Sequence, residues 1–221
     1  MVSNKNILIA QGGGPTNVIN QSLVGIIQQE NNYKSKILGS INGVNGIINN
    51  RFISLNKISD NDLKIIANTP GAALGSTRDK PDKKYCKEIL TILKNKKISK
   101  FYYIGGNDSS DSLRIISEYA KDIKYNLQCI HIPKTIDNDL VCNDHTPGFG
   151  SAAKYVAQLF SGINYDVKSL PGVYLGIVMG RHAGFLTASS SLLKKESDDG
   201  PNLIYIPESP FQVNTFLSQV K

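Results

Sequence analysis

The stretch Ile130-His131-Ile132-Pro133-Lys134-Thr135-Ile136-Asp137-Asn138-Asp139 gathers a lysine, a threonine and two carboxylates behind a short apolar run. Gln128 to Ile132 reads as a strand stopped by Pro133. The C-terminal end of a parallel strand is where α/β proteins collect reacting groups, because neighbouring loops converge there. Asp137 and Asp139 have strand-like spacing, so in an extended loop both project to one side. One can then act as a base while the other orients it or holds a metal. The same residues also suit a polar loop closed by an Asx-type turn.

Gly12-Gly13-Gly14-Pro15-Thr16 follows a predicted strand at Ile7 to Ala10 and precedes a helical pattern from about Val18 to Gln28. Glycine there lets the backbone approach a ligand, and open N–H groups at a helix start favour an anion. The spacing matches neither the P-loop nor G-x-G-x-x-G. Gly105-Gly106-Asn107-Asp108-Ser109 repeats the arrangement after a predicted strand at Phe101 to Ile104. A plainer reading of that segment is a helix capped by Asp108 or Ser109. Two such loops on one sheet edge point to a shared phosphate pocket. Leu74-Gly75-Ser76-Thr77-Arg78 adds a cation suited to a bidentate grip on phosphate oxygens. Met179-Gly180-Arg181-His182-Ala183-Gly184 adds another at a strand-to-helix switch. For either arginine alone a solvated surface position is the plainer reading. His145 and His182 lack a fixed partner and receive no catalytic role.

The elements that must hold these groups alternate. Strands are predicted at Ile7 to Ala10, Phe101 to Ile104, Gln128 to Ile132, Val173 to Met179 and Asn202 to Ile206. Helices are predicted at Val18 to Gln28, Asp108 to Tyr119 (Leu113, Ile116 and Ala120 on one face), Ser151 to Ile163, His182 to Leu193 and Phe211 to Val220. The Ser151 helix should bury a stripe of Ala152, Val156, Leu159 and Ile163. Such alternation predicts an α/β fold: a doubly wound, mainly parallel sheet with helices on both faces, followed by an incomplete second α/β domain. The expected division is residues 1–138 for the first α/β domain and 139–221 for the partial second one.

At 221 residues with 40% hydrophobic and 19% charged residues, the chain is of ordinary globular composition. Its apolar runs are too short to span a bilayer, and no signal-like region precedes the first strand. Cys86, Cys129 and Cys142 lack metal-type spacing and suit a reduced, cytoplasmic setting. The net charge of +7 comes without Trp or interleaved aromatics, so a small polyanion is the expected partner rather than nucleic acid.

Taken in order, Gly-Gly-Pro-Thr, Leu-Gly-Ser-Thr-Arg, Gly-Gly-Asn-Asp-Ser, Pro-Lys-Thr-Ile-Asp-Asn-Asp, Thr-Pro-Gly-Phe-Gly-Ser-Ala, Met-Gly-Arg-His-Ala-Gly and Pro207-Glu208 resemble the phosphofructokinase family across nearly the whole chain. The resemblance implies that Thr135 and Ile136 help to hold the sugar and that Asp137 is the base. Met179, Gly180, Arg181 and Glu208 would bind fructose 6-phosphate. Gly13 and Gly14 would cradle the donor, Arg78 would lie along the transferring phosphate, and Asp108 and Ser109 would stand on the donor side.

Mg²⁺ is the implied cofactor. Asn107 stands where ATP-dependent members carry a metal-ligating aspartate, so contact there is expected through water; Asp139 is a further candidate ligand. Asp108 puts charge and bulk where the α-phosphate of ATP needs space, and Lys134 adds a cation beside the transferred group. Both resemble the pyrophosphate-dependent branch. Members of the family continue well beyond residue 221, and Gly172 lies near a usual arginine. The expected function is therefore phosphoryl transfer from pyrophosphate to the 1-hydroxyl of fructose 6-phosphate, in a homo-oligomer or paired with a longer homologous chain. A non-catalytic subunit that binds phosphometabolites and an ATP-dependent 6-phosphofructokinase are the alternatives.

Overall fold

A strand that is apolar on both sides needs cover on both sides, and β1 (Asn6–Gln11) is such a strand. Ile7 and Ile9 alternate with Leu8 and Ala10, and all four are buried. The computed structural model describes residues 6–33 and 36–220. After β1 come α1 (Ile19–Asn31), β2 (Lys36–Ser40), α2 (Gly43–Ile48), β3 (Phe52–Ser54), α3 (Asp60–Asn68), α4 (Lys83–Asn95), β4 (Ile98–Gly105), α5 (Asn107–Asp122) and β5 (Gln128–Pro133).

The sheet order is β3-β2-β1-β4-β5, parallel throughout except for the antiparallel edge pair β2/β3. On one face α1 and α3 bury Ile19, Leu23, Ile27 and Leu63 with Ile7, Ile9 and Ile37. On the other, α2, α4 and α5 bury Ile47, Ile89, Leu93, Leu113 and Ile116 with Leu8 and Phe101. The helices start where the sequence supplies acceptors: Ser59 Oγ takes the Asp62 N–H at 3.1 Å, and Asp82 takes that of Tyr85 at 2.8 Å. Because β1 is flanked by β2 on one side and β4 on the other, the chain changes direction across the sheet between β1 and β4. Such a switch point opens a crevice at the carboxyl ends of the strands.

The chain divides into two compact units, Met1–Lys134 and Thr135–Lys221. The second unit holds α6 (Phe149–Ser169), α7 (Phe185–Ser189) and α8 (Val213–Val220). Its predicted strands do not form. Val173 to Met179 and Asn202 to Ile206 have no ladder partner among the described residues, and Ile177 is 93% exposed. Apolar patterning supplies the face of a strand, but only a neighbouring strand supplies its hydrogen bonds.

The α6 stripe is also displaced. Ala153, Val156 and Ala157 are buried, whereas Leu159 is 41% exposed. The helix predicted from His182 to Leu193 shortens to α7 followed by turns. No helix among the described residues is long and apolar enough to cross a membrane.

Candidate active site

The two glycine turns occupy the switch point. Gly12 N–H donates to Ile104 O on β4 at 2.8 Å, which brings the first turn beside the second. Gly13 has φ +75, in the left-handed region that glycine adopts without strain. A Cβ at Gly13 would sit 3.1 Å from Lys134 Nζ. Lys134 is itself only 5% exposed, and its backbone N–H is held by Gly105 O at 3.1 Å. A bare backbone turn thus faces a buried ammonium group, as binding of a small anion requires.

Asn107 opens α5, and the position before it, Gly106, gives no side-chain cap. The N-cap residue is therefore Gly106 and not Asp108 or Ser109, both of which lie inside the first turn. Ser109 is buried and bonded to the Tyr103 hydroxyl, which burial pushes up to about 12. Its Oγ lies 2.2 Å from where a Cβ on Gly105 would be, so Ser109 fixes the floor of the second turn. Asp108 points outward and pairs with Lys80 Nζ at 3.1 Å. Both partners are well exposed, so the pair contributes about 0–1 kcal/mol.

Arg78 is an exposed residue on an anchored backbone. On one side Ser76 Oγ donates to Gly13 O at 2.6 Å, and Gly13 N–H donates to Thr77 O at 2.8 Å. On the other, Asp79 accepts from the Tyr85 hydroxyl at 3.0 Å and from Asn45 at 3.2 Å. Burial works to raise the Asp79 carboxyl, but hydrogen bonds from Tyr85, Asn45 and Thr77 hold it below the usual carboxylate range.

The second unit opens with the Thr-Ile-Asp loop. Thr135 N–H donates to Pro147 O at 3.2 Å, and its carbonyl accepts from Thr146 Oγ1 at 2.8 Å. Asp137 N–H donates to Thr135 Oγ1 at 3.1 Å, a local turn. Asn138 has φ 58, and its side-chain oxygen takes the Thr146 N–H at 2.9 Å. That left-handed residue breaks the two-residue alternation, so the extended loop expected to align Asp137 with Asp139 does not form.

Ile136 is half-buried within the same loop. In the Met179–Gly184 segment Met179 and Arg181 are exposed, and Gly180 has φ 123. Glu208 takes the Gly184 N–H at 2.7 Å, fixing its carboxylate at the start of α7. Gly14 has open space around it.

The sequence also holds groups that its motifs did not signal. His131 donates Nε2–H to Gly105 O at 3.0 Å, and burial keeps its imidazole below the ordinary histidine range. Gln11 and Asn20, both almost fully buried, lie beside the first glycine turn. Their sequence signal is faint: Gln11 directly follows the apolar run Ile7 to Ala10, and Asn20 follows Val18-Ile19.

Glycine turns on adjacent parallel strands at a switch point, with a buried lysine over one of them, define an α/β protein with a turn geometry suited to a phosphate. The model of the family described as phosphofructokinase matches residues 6–221, and the chain belongs to that family. It is 58% identical over 217 residues to pyrophosphate–fructose 6-phosphate 1-phosphotransferase of Rhodospirillum rubrum, covering 97% of this chain and 54% of that protein. With the protein of the same name from Xanthomonas campestris it shares 39% identity, covering 100% of this chain and 55% of the relative. The solved pyrophosphate-dependent phosphofructokinase of Marinobacter aquaeolei superposes with a TM-score of 0.82 at 36% identity, covering 98% of this chain and 56% of that one. The chain thus spans about half the length of the relatives it matches.

Proposed function

We propose that this chain takes part in phosphoryl transfer from pyrophosphate to the 1-hydroxyl of fructose 6-phosphate, giving fructose 1,6-bisphosphate and orthophosphate. The observation that carries the reading is Lys134, buried and facing the bare turn at Gly13. In this reading Gly13, Gly14 and Arg78 hold the donor, with Ser109 beneath the second turn. Thr135, Ile136, Met179, Gly180, Arg181 and Glu208 hold the sugar phosphate. Asp137 takes the proton of the 1-hydroxyl as that oxygen bonds to the terminal phosphorus. The bridging P–O bond breaks, and orthophosphate leaves with its charge met by Lys134 and Arg78. Asp108 stands against the longer nucleotide donor.

Magnesium fits as a companion of the donor. Asn107 and Asp139 offer hard oxygen ligands, and an ion held mainly by phosphate and water needs few from protein. When bound, it neutralises charge on the donor oxygens. Among the described residues no group of three or more His, Cys, Asp or Glu could hold a metal alone. The reading places the protein in the cytoplasm, as a homo-oligomer or beside a longer homologous chain.

The test is a coupled assay for fructose 1,6-bisphosphate with pyrophosphate and Mg²⁺. It is run on the chain alone and on the chain mixed with a full-length relative inactivated by substitution of its own base. Product in either sample supports transfer by this chain. No product in both, with fructose 6-phosphate still bound, favours a second reading: a non-catalytic subunit that binds phosphometabolites. One observation points that way. Val173, Leu175, Ile177 and Met179 are 76%, 70%, 93% and 63% exposed, an apolar surface suited to a polypeptide partner.

A further inference from the structure

Two carboxamides are buried beside the donor turn, where an α/β core would ordinarily place hydrocarbon. Gln11 ends β1 at 0% exposure, and Asn20 lies in the first turn of α1 at 2%. Gln11 Nε2 donates to Asn20 Oδ1 and to Ile19 O, both at 3.2 Å, while its Oε1 accepts the Leu74 N–H at 2.9 Å. Asn20 Oδ1 also accepts the Ala73 N–H at 2.8 Å, and its Nδ2 donates to Thr69 O at 2.8 Å. Every bond has a fixed sense. If either amide were turned over, donors would face donors at Ala73 or Leu74, so the pair has a single orientation.

The partners of this relay identify what it does. Residues 69–77 form no helix or strand, so the N–H groups of Ala73 and Leu74 have no ladder to join. The two amides take the place of that ladder. The segment they grip continues into Ser76 and Thr77, which bond to Gly13, and then into Arg78. Asn42, at φ 62 just ahead of α2, closes the grip by donating its N–H to Leu74 O at 2.8 Å. A carboxylate at Gln11 would satisfy Leu74, but it would place negative charge under a phosphate site and repel Asn20 Oδ1. Neutral amides avoid both.

We propose that Gln11 and Asn20 are positioning residues for the phosphoryl donor. They set the Leu74–Thr77 backbone against the first glycine turn and so aim Arg78. The inference rests on the donor reading above. The test is a double-mutant cycle on the full chain, with inorganic pyrophosphate as the probe in calorimetric titration. Gln11→Met keeps length and removes both polar functions; Arg78→Ala removes the group held to be aimed.

Each single variant is expected to weaken pyrophosphate at least fivefold, and the double variant no more than Arg78→Ala alone. Purely structural damage would instead add. A folded Gln11→Met protein within twofold of the parent, or additive losses, overturns the proposal. If Gln11→Met does not fold, Asn20→Leu, near-isosteric and uncharged, carries the cycle, with the same loss and the same non-additivity expected.

Should the parent itself not bind pyrophosphate, the donor reading fails and amide hydrogen exchange decides the positioning role. Leu74 exchanging at least tenfold faster in Gln11→Met, or Ala73 in Asn20→Leu, with Ile116 in α5 unchanged, sustains it. Equal rates overturn it.

Discussion

Lys134 Nζ lies 3.1 Å from the point that a Cβ on Gly13 would occupy. One residue withholds its side chain and the other delivers a buried charge to the space left over, at the seam where β1 and β4 part. In the proposed reading a phosphate at that turn meets bare backbone and the Lys134 ammonium. The proposed donor, small and highly charged, suits that chemistry.

Gly13→Ala should damage both fold and donor binding. Alanine at this positive φ costs about 1–2 kcal/mol, and its methyl crowds the lysine. A lower melting temperature, followed by circular dichroism, together with at least tenfold weaker pyrophosphate binding is the expected pair of results. A variant that binds as the parent does would show that the turn is not a donor cradle.

Lys134→Met keeps the buried stem and removes the charge. In the assembly that turns over, kcat/KM for the donor should fall about 10²-fold or more, the scale of losing one stabilising donor at a transferring group. A loss below about tenfold, roughly 1.4 kcal/mol, would leave Lys134 a packing residue.

Asp137→Asn preserves shape but cannot accept a proton. Turnover should drop at least a hundredfold, about 2.7 kcal/mol, while fructose 6-phosphate binding measured by titration stays within about threefold. A drop smaller than about tenfold would assign the base elsewhere.

The second unit should be acid-sensitive through Asp199. This carboxylate accepts from Lys168 Nζ at 2.7 Å, from the N–H groups of Glu196 and Lys195 at 2.9 and 2.8 Å, and from Asn164 at 2.8 Å. Lys168 first, then the backbone donors and Asn164, hold it well below the usual carboxylate range. A depressed folded pKa stabilises above the unfolded value of about 3.9 and loses that stabilisation as pH falls through the folded one. Melting temperature should therefore fall on acidification below about pH 4, and less steeply in Asp199→Asn. Identical slopes would remove Asp199 from the account.

Much of the first unit was legible because its signals are local. Ile7 to Ala10, Phe101 to Ile104 and Gln128 to Ile132 are mainly apolar runs closed by a following glycine or proline, and each lies within a strand of the sheet. Leu113, Ile116 and Ala120 line the buried side of α5 as their spacing requires.

The segment from β2 to α4 gave little, since Lys36–Ser40 and Phe52–Ser54 are too short to show a period. Val173 to Met179 misled for the opposite reason: its pattern is strong, but no neighbouring strand pairs with it among the described residues. In the site, glycine, lysine and arginine announced themselves by type. Gln11 and Asn20 did not, because their roles depend on Thr69, Ala73 and Leu74, distant in sequence and visible only once folded.

Donor choice tests the account most directly. Calorimetric titration of the chain with pyrophosphate and with ATP, each with Mg²⁺, compares the two dissociation constants under one set of conditions. The account predicts pyrophosphate at least tenfold tighter. It also predicts that Asp108→Gly narrows the gap by admitting ATP, with pyrophosphate little changed, because Asp108 acts by repulsion. ATP binding as tightly as pyrophosphate to the parent chain would contradict it.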